Sequence, residues 1–325
     1  MAQRKTEWAF PAEMRPRPED WRFNLDAALD SVVQLRAEIP DDAFTAPLLG
    51  TERAGNGVVI RDDGLVLTIG YLITEASTIW LTTNKGQVAG GFPVAYDQAS
   101  GFGLVQPLGP LGVRALERGS AGSLRVGENV VVAGCGGRGH ALKATVFAKR
   151  EFAGYWEYVL DEALFTAPAH PQWGGAALIG SDGRLAGIGS LLVQEKVDAG
   201  TLQGNMIVPI DLLEPILEDM LRLGRPGRAP RPWLGMYATE SGPQLVVAGL
   251  APGGPAERAG LKIGDVVVEI AGAKPSSLAD LWRRAWRSGP VGAPVALKVG
   301  REGKSAEVRM ISVDRSDFLK KPHLH

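Results

Sequence analysis

Short Val/Ile/Leu runs broken by turn residues fill the chain from about Leu25 to Val208. Runs of that length between glycine and proline punctuation predict strands. Asp63-Gly64 and Asp182-Gly183 are turn signals, because glycine reaches positive φ without a Cβ clash. After Pro209 the period changes: the segment from Ile210 to Leu223 places apolar residues at i, i+3 and i+4. That spacing predicts an amphipathic helix beginning near Asp211, with Pro215 in its first turn, where proline is tolerated. Gly224 to Pro232, with three arginines and three prolines in nine residues, has the composition of a linker.

Forty-two glycines and 22 prolines in 325 residues fit many short strands and turns, which makes the chain mainly β and long enough for two or three domains. Thirty-five basic against 36 acidic residues leave a net charge of −1. No basic stripe is present to attract nucleic acid. The single cysteine, Cys135, excludes an intramolecular disulfide and reads as a small core residue rather than a nucleophile. No stretch is apolar for long enough to predict a membrane span. The N-terminal residues show no apolar signal region, so the expectation is a cytoplasmic protein, or a periplasmic one if the true start lies upstream.

Three phrases carry chemistry. The first runs Gly55-Asn56-Gly57-Val58-Val59-Ile60, through Asp63-Gly64-Leu65-Val66-Leu67-Thr68, to Ile69-Gly70-Tyr71-Leu72. The second is Asp97-Gln98-Ala99-Ser100-Gly101-Phe102-Gly103-Leu104-Val105. The third is His170-Pro171-Gln172-Trp173-Gly174-Gly175-Ala176-Ala177-Leu178. Together they resemble the trypsin-like domain of HtrA/Deg serine proteases, with all three catalytic positions filled by other residues. The resemblance puts Tyr71 at the histidine, Gly101 at the aspartate and Gly174 at the serine; a one-residue shift would put Trp173 there instead. It also implies two six-stranded β-barrels meeting near position 120. Acyl transfer by serine needs a base and an orienting carboxylate, and loss of any member lowers the rate by orders of magnitude. Gly174 still offers a backbone N–H for an oxyanion-hole position.

A second resemblance covers residues 233–313. Trp233-Leu234-Gly235-Met236, followed by Ala251-Pro252-Gly253-Gly254-Pro255-Ala256 and Ala259-Gly260-Leu261-Lys262-Ile263-Gly264-Asp265, is similar to an HtrA-type PDZ domain. Such a domain takes an extended peptide as an added strand and receives its terminal carboxylate on backbone N–H groups. The resemblance assigns that loop to Trp233, Leu234, Gly235 and Met236. It places a groove helix over Ser277 to Trp286, where Leu281 and Ala285 share a face as pocket candidates or as core. Trp282 and Trp286 read as packing residues.

The predicted architecture is therefore a trypsin-like double β-barrel over 26–224, a linker over 225–232, an α+β PDZ domain over 233–313, and a tail over 314–325. Residues 1–25 read as an arm, disordered or ordered; the family uses aromatic arms between protomers, making Trp8, Phe10, Trp21 and Phe23 candidate contacts in a homo-oligomer, a trimer by resemblance. Among the histidines, His170 is the best placed to act as a base or metal ligand, although a structural role fits better because no metal-ligand spacing surrounds it. His323 and His325 read as a mobile tail. No cofactor or metal is expected.

These readings lead to a catalytically inactive homologue that binds polypeptides or C-terminal peptides as an adaptor, regulator or chaperone, with an active HtrA-type protease as a possible partner. The alternative is an active endopeptidase with a non-standard or partner-completed site. A scaffold without a peptide ligand would require the PDZ groove to be blocked.

Overall fold

The turn glycines do what the sequence asks of them. In the computed structural model, which describes residues 8–197 and 200–321, Gly64 and Gly183 have φ of 86° and 81° and close strand connections. The strands they join build two closed barrels. The first comprises β1 (Val32–Glu38), β2 (Glu52–Val59), β3 (Val66–Ile69), β4 (Thr78–Thr82), β5 (Val88–Tyr96) and β6 (Phe102–Pro107), in the order β1-β2-β3-β6-β5-β4. The second comprises β7 (Asn129–Ala133), β8 (Ala141–Gly154), β9 (Tyr158–Ala167), β10 (Ala177–Ile179), β11 (Leu185–Val197) and β12 (Gly200–Pro209), in the order β10-β11-β12-β9-β8-β7. Closure removes free sheet edges. Alternate residues such as Val130 and Val132 point inward to pack with Ala144, Val146, Leu164, Leu178 and Ile207.

The helix predicted from Asp211 starts later. A 3-10 turn at Ile210–Leu212 is followed by turns, and the α-helix runs Leu217–Leu223. Pro215 has no N–H to extend a helix from Asp211 and disfavours helical backbone at Glu214. Gly224, at φ 70°, caps the end.

The arm is ordered against its own chain. Phe10 is buried and its N–H donates to the Gly139 carbonyl at 2.9 Å. The Phe23 ring lies over Gly183, where any Cβ would come within 2.5 Å of it. Of the four aromatics expected between protomers, Phe10 is thus enclosed within its own chain. His323 and His325 lie outside the described residues.

A second compact unit consists of residues 228–319 together with residues 151–161 at the turn end of β8 and β9. The boundaries expected from sequence place 151–161 with the barrels and 314–319 in a tail; in the fold both segments lie in this second unit. Its sheet runs β13 (Met236–Ser241), β14 (Gln244–Leu250), β15 (Val266–Ile270), β16 (Pro294–Arg301), β17 (Lys304–Ile311), in that order, so β13 is an edge. The predicted groove helix spans Leu278–Arg287. Ser277 caps it by accepting from the Asp280 N–H at 3.1 Å, an interaction worth about 1 kcal/mol. Its buried face, with Leu281, Trp282 and Ala285, packs with Leu234, Met236, Ile270 and Leu297.

Candidate functional site: a barrel cleft and a glycine loop

Tyr71 sits in the 3-10 turn Gly70–Leu72 that follows β3. Gly70 is required there, since a Cβ would lie 2.1 Å from the Tyr96 ring, and its N–H donates to the Gly101 carbonyl at 2.6 Å. Gly101 closes a loop at φ 84°. The buried Asp97 carboxylate organises that loop by accepting from the Ala99 and Ser100 N–H groups at 3.2 and 2.8 Å. Gly101 therefore performs a backbone task and presents no carboxylate.

The Tyr71 hydroxyl donates to the Ser190 carbonyl at 2.9 Å. Burial pushes this phenol well above its ordinary range, opposed by a hydrogen bond from Trp173. A Cβ on Gly174 would lie 2.9 Å from that hydroxyl. Tyr71 and Gly174 are thus sterically coupled: the phenol stands where a side chain at 174 would begin.

Asn56 ties the third phrase to β2. Its N–H donates to the Gly174 carbonyl at 2.8 Å and its Nδ2 to the Gln172 carbonyl at 2.9 Å, while its Oδ1 accepts from the Cys135 N–H at 2.9 Å. Gly175, at φ 74°, passes so close that a Cβ would lie 1.8 Å from the Asn56 carbonyl oxygen. Sequence reading quoted Asn56 only as part of a motif; its partners are about 80 and 120 residues away, beyond any local signal. Cys135 is half-buried rather than core, with its Sγ 3.1 Å from Asn84 Oδ1. A cleft of about 470 Å3 remains, lined by Leu49, Arg53, Asn56, Tyr71, Cys135 and Trp173 among others.

His170 is fully buried. Its Nε2 lies 2.9 Å from the His140 carbonyl and its Nδ1 accepts from the Gln172 N–H at 3.1 Å. This pair of contacts assigns the neutral tautomer with hydrogen on Nε2. Burial lowers its pKa to about 4. Both ring nitrogens are committed, and the ring packs against Phe10 at 5.1 Å between centroids. The same contact engages the Gln172 N–H. Among the described residues, no group of three or more His, Cys, Asp or Glu could hold a metal.

In the second unit, Gly235 has φ 71°, a conformation that suits glycine and turns the N–H groups of the loop inward. Those donors already hold a carboxylate. Glu157 accepts from the Leu234 N–H at 3.1 Å and the Met236 N–H at 3.1 Å, and also from Gly235. Burial raises the Glu157 pKa to about 7 against these donors and the Arg315 charge. On the outer edge of β13, the Ala238 N–H donates to the Tyr155 carbonyl at 3.0 Å. Trp233 is buried, with its ring 5.0 Å from Phe318. Leu281 and Ala285 have no exposed surface and lie within the domain core.

The trypsin-like peptidase domain family matches residues 55–188, and the PDZ domain family matches residues 232–311. The chain is similar to the HtrA-type serine proteases. Among curated proteins it is similar to the periplasmic serine endoprotease DegP of Escherichia coli, 26% identical over 79% of this chain and 56% of the relative. It also matches serine protease PepD of Mycobacterium tuberculosis, 28% identical over 82% of this chain and 62% of the relative. The serine protease Do-like HtrA of Bacillus subtilis is 21% identical over 95% of this chain and 75% of the relative. The chain thus spans little more than half the length of the DegP relative. Among solved structures, the HtrA-type protease AlgW with decapeptide covers 92% of this chain and 99% of its own, at 19% identity and a TM-score of 0.52. That likeness establishes the shared fold. No helix among the described residues is long and apolar enough to cross a membrane.

Proposed function

We propose that this HtrA-type homologue does not cleave peptides and instead binds polypeptide chain ends through its PDZ domain, as an adaptor, regulator or chaperone. The Tyr71–Gly174 pair carries the reading. Gly174 has no nucleophilic atom, and the Tyr71 hydroxyl fills the adjoining space while donating to the Ser190 carbonyl. A phenol pushed upward by burial stays protonated near neutral pH and cannot accept a proton from a nucleophile. Gly101 supplies no orienting carboxylate, and His170, neutral with both nitrogens engaged, offers no replacement base. Relatives bear the name of serine endoproteases, but their chemistry requires groups absent from these three positions. AlgW is described with a decapeptide, and the Leu234-Gly235-Met236 donors of this chain hold a carboxylate. The first supports a peptide as ligand, and the second a carboxylate.

Incubation of the purified protein with casein and with a denatured substrate is expected to give no turnover. Turnover that follows the protein through purification and disappears in Trp173→Ala would overturn the reading.

A further inference from the structure

Residues 154–157 enter the PDZ domain from outside its sequence, since they precede Met236 by about 80 positions. Their contacts reproduce each element of peptide capture on a sheet edge. The backbone of Tyr155 pairs with the outer edge of β13 through the Ala238 N–H. Two residues later, the Glu157 carboxylate meets the N–H groups of Leu234, Gly235 and Met236. From the groove helix, the Trp282 indole N–H donates to the Gly154 carbonyl at 2.9 Å. Arg283, on the same helix, pairs with Glu151 and Asp161 on either side of the turn.

We propose that this turn is a resident ligand of the PDZ groove, and that a polypeptide with a free C-terminal carboxylate binds by displacing Glu157. The proposal deepens the peptide-receptor reading and rests on it. Simple packing does not account for the arrangement. Glu157 is 5% exposed, and a carboxyl group is an expensive group to bury when an aliphatic side chain would fill the same space. A ring of converging backbone N–H groups is a site for an anion. Glu157 also adopts φ 59°, a left-handed conformation that is unfavourable for a non-glycine residue. Its backbone strain is sustained by the carboxylate contacts and is relieved when they are given up.

The ligand chemistry follows from the occupant. The groove takes a chain approaching as a strand along β13, with a carboxylate on the Leu234–Met236 donors and a main-chain carbonyl on the Trp282 indole. A chain terminus delivers that carboxylate without a left-handed residue, which gives it an advantage over the resident turn. The turn has the advantage of being covalently present. An internal occupant lowers apparent affinity by the fraction of molecules whose groove is open.

The test uses the full chain, its Glu157→Gln and Glu157→Ala variants, and a fluorescein-labelled synthetic peptide of residues 149–156 with a free C-terminal carboxylate, alongside its C-terminal amide. Hydrogen exchange at Leu234, Gly235, Met236 and Ala238 reports groove occupancy independently of binding. The expected result is faster exchange at these amides in Glu157→Ala, with free-acid peptide binding at least about tenfold tighter than in the unsubstituted chain, as for a groove open about a tenth of the time; Glu157→Gln, a neutral match for the protonated side chain, should keep the turn docked. The amide should bind weakly throughout. Equal free-acid affinity in all three proteins would overturn the displacement proposal while leaving the peptide-receptor reading intact. Unchanged exchange in a folded Glu157→Ala protein would also overturn it. Faster exchange with no free-acid binding would overturn the receptor reading and reduce the turn to a permanent strand of the domain. If Glu157→Ala fails to fold, Glu157→Ser, which removes the carboxyl group and keeps a polar residue on the turn, decides the outcome.

Discussion

The barrel cleft is narrowed, and the PDZ groove occupied, by the chain's own residues, but in different ways. In the cleft, a side chain occupies space opened by glycine: the Tyr71 hydroxyl stands 2.9 Å from where a Cβ of residue 174 would be. No movement of Tyr71 would restore a nucleophile, because none is encoded there. In the groove, the receiving groups are all present and the occupant is a turn held by several separable hydrogen bonds. On the proposed reading the first site lacks its chemistry through composition, the second has its chemistry engaged by conformation, and only the second closure is reversible.

That contrast breaks most visibly at Tyr71. Tyr71→Ala removes a large, mostly enclosed side chain and its bond to Ser190, and should destabilise the barrel unit by about 3 kcal/mol in denaturant unfolding. The opened cleft should still show no hydrolysis of casein. Hydrolysis in this variant would mean that the cleft is gated rather than disarmed.

The next effect distinguishes the two regions by their response to acid. His170 has a pKa of about 4 in the folded protein against an ordinary 6.5. Between those values the unfolded chain binds more protons, so stability rises with pH. His170's contribution is complete above pH 6.5 and is lost as the pH falls towards 4, on the order of 3 kcal/mol. Unfolding followed across that window should show the loss, and His170→Gln should flatten it. A profile unchanged by the substitution would remove His170 from the account.

Glu157 runs the other way and its effect is smaller because the turn alone responds. Its pKa is raised to about 7 in the docked turn from an ordinary 4.5. Docking is therefore strongest below pH 4.5 and weakens as the pH rises through 7. The groups facing it are the Leu234, Gly235 and Met236 N–H donors, the Arg315 charge and Tyr237, whose own pKa is raised by burial; none of these changes charge within that window. Exchange at Leu234 and Met236, referenced to amides of β16, should accelerate from pH 5 to pH 8 in the unsubstituted chain. Glu157→Gln should abolish the dependence; persistence of the same slope would assign it to another group.

Much of the molecule is legible in local sequence. Asp-Gly turns between short apolar runs marked the barrel strands, and the Trp233-Leu234-Gly235-Met236 and Gly253 to Asp265 text marked the PDZ domain. Pro215 illustrates the limit of periodicity: the apolar spacing continues through it, yet the helix forms only from Leu217 because a missing N–H overrides the pattern. Leu281 and Ala285 illustrate another limit. Their i, i+4 spacing fixes a shared face, but whether that face looks into a pocket or a core depends on what packs against it.

The sequence by itself determined the chemistry available: no nucleophile at Gly174, no carboxylate at Gly101, and a glycine-bearing loop able to present backbone donors. Those are properties of residue type and short-range backbone preference. Only the tertiary structure decided what each group meets. The Tyr71 hydroxyl reaches Gly174 and Ser190 more than 100 positions away, and Glu157 finds its donors 77 and 79 positions away. Hydrogen-bond partners at such separations are chosen by chain topology and steric fit, and neither leaves a periodic trace in the residues that make them.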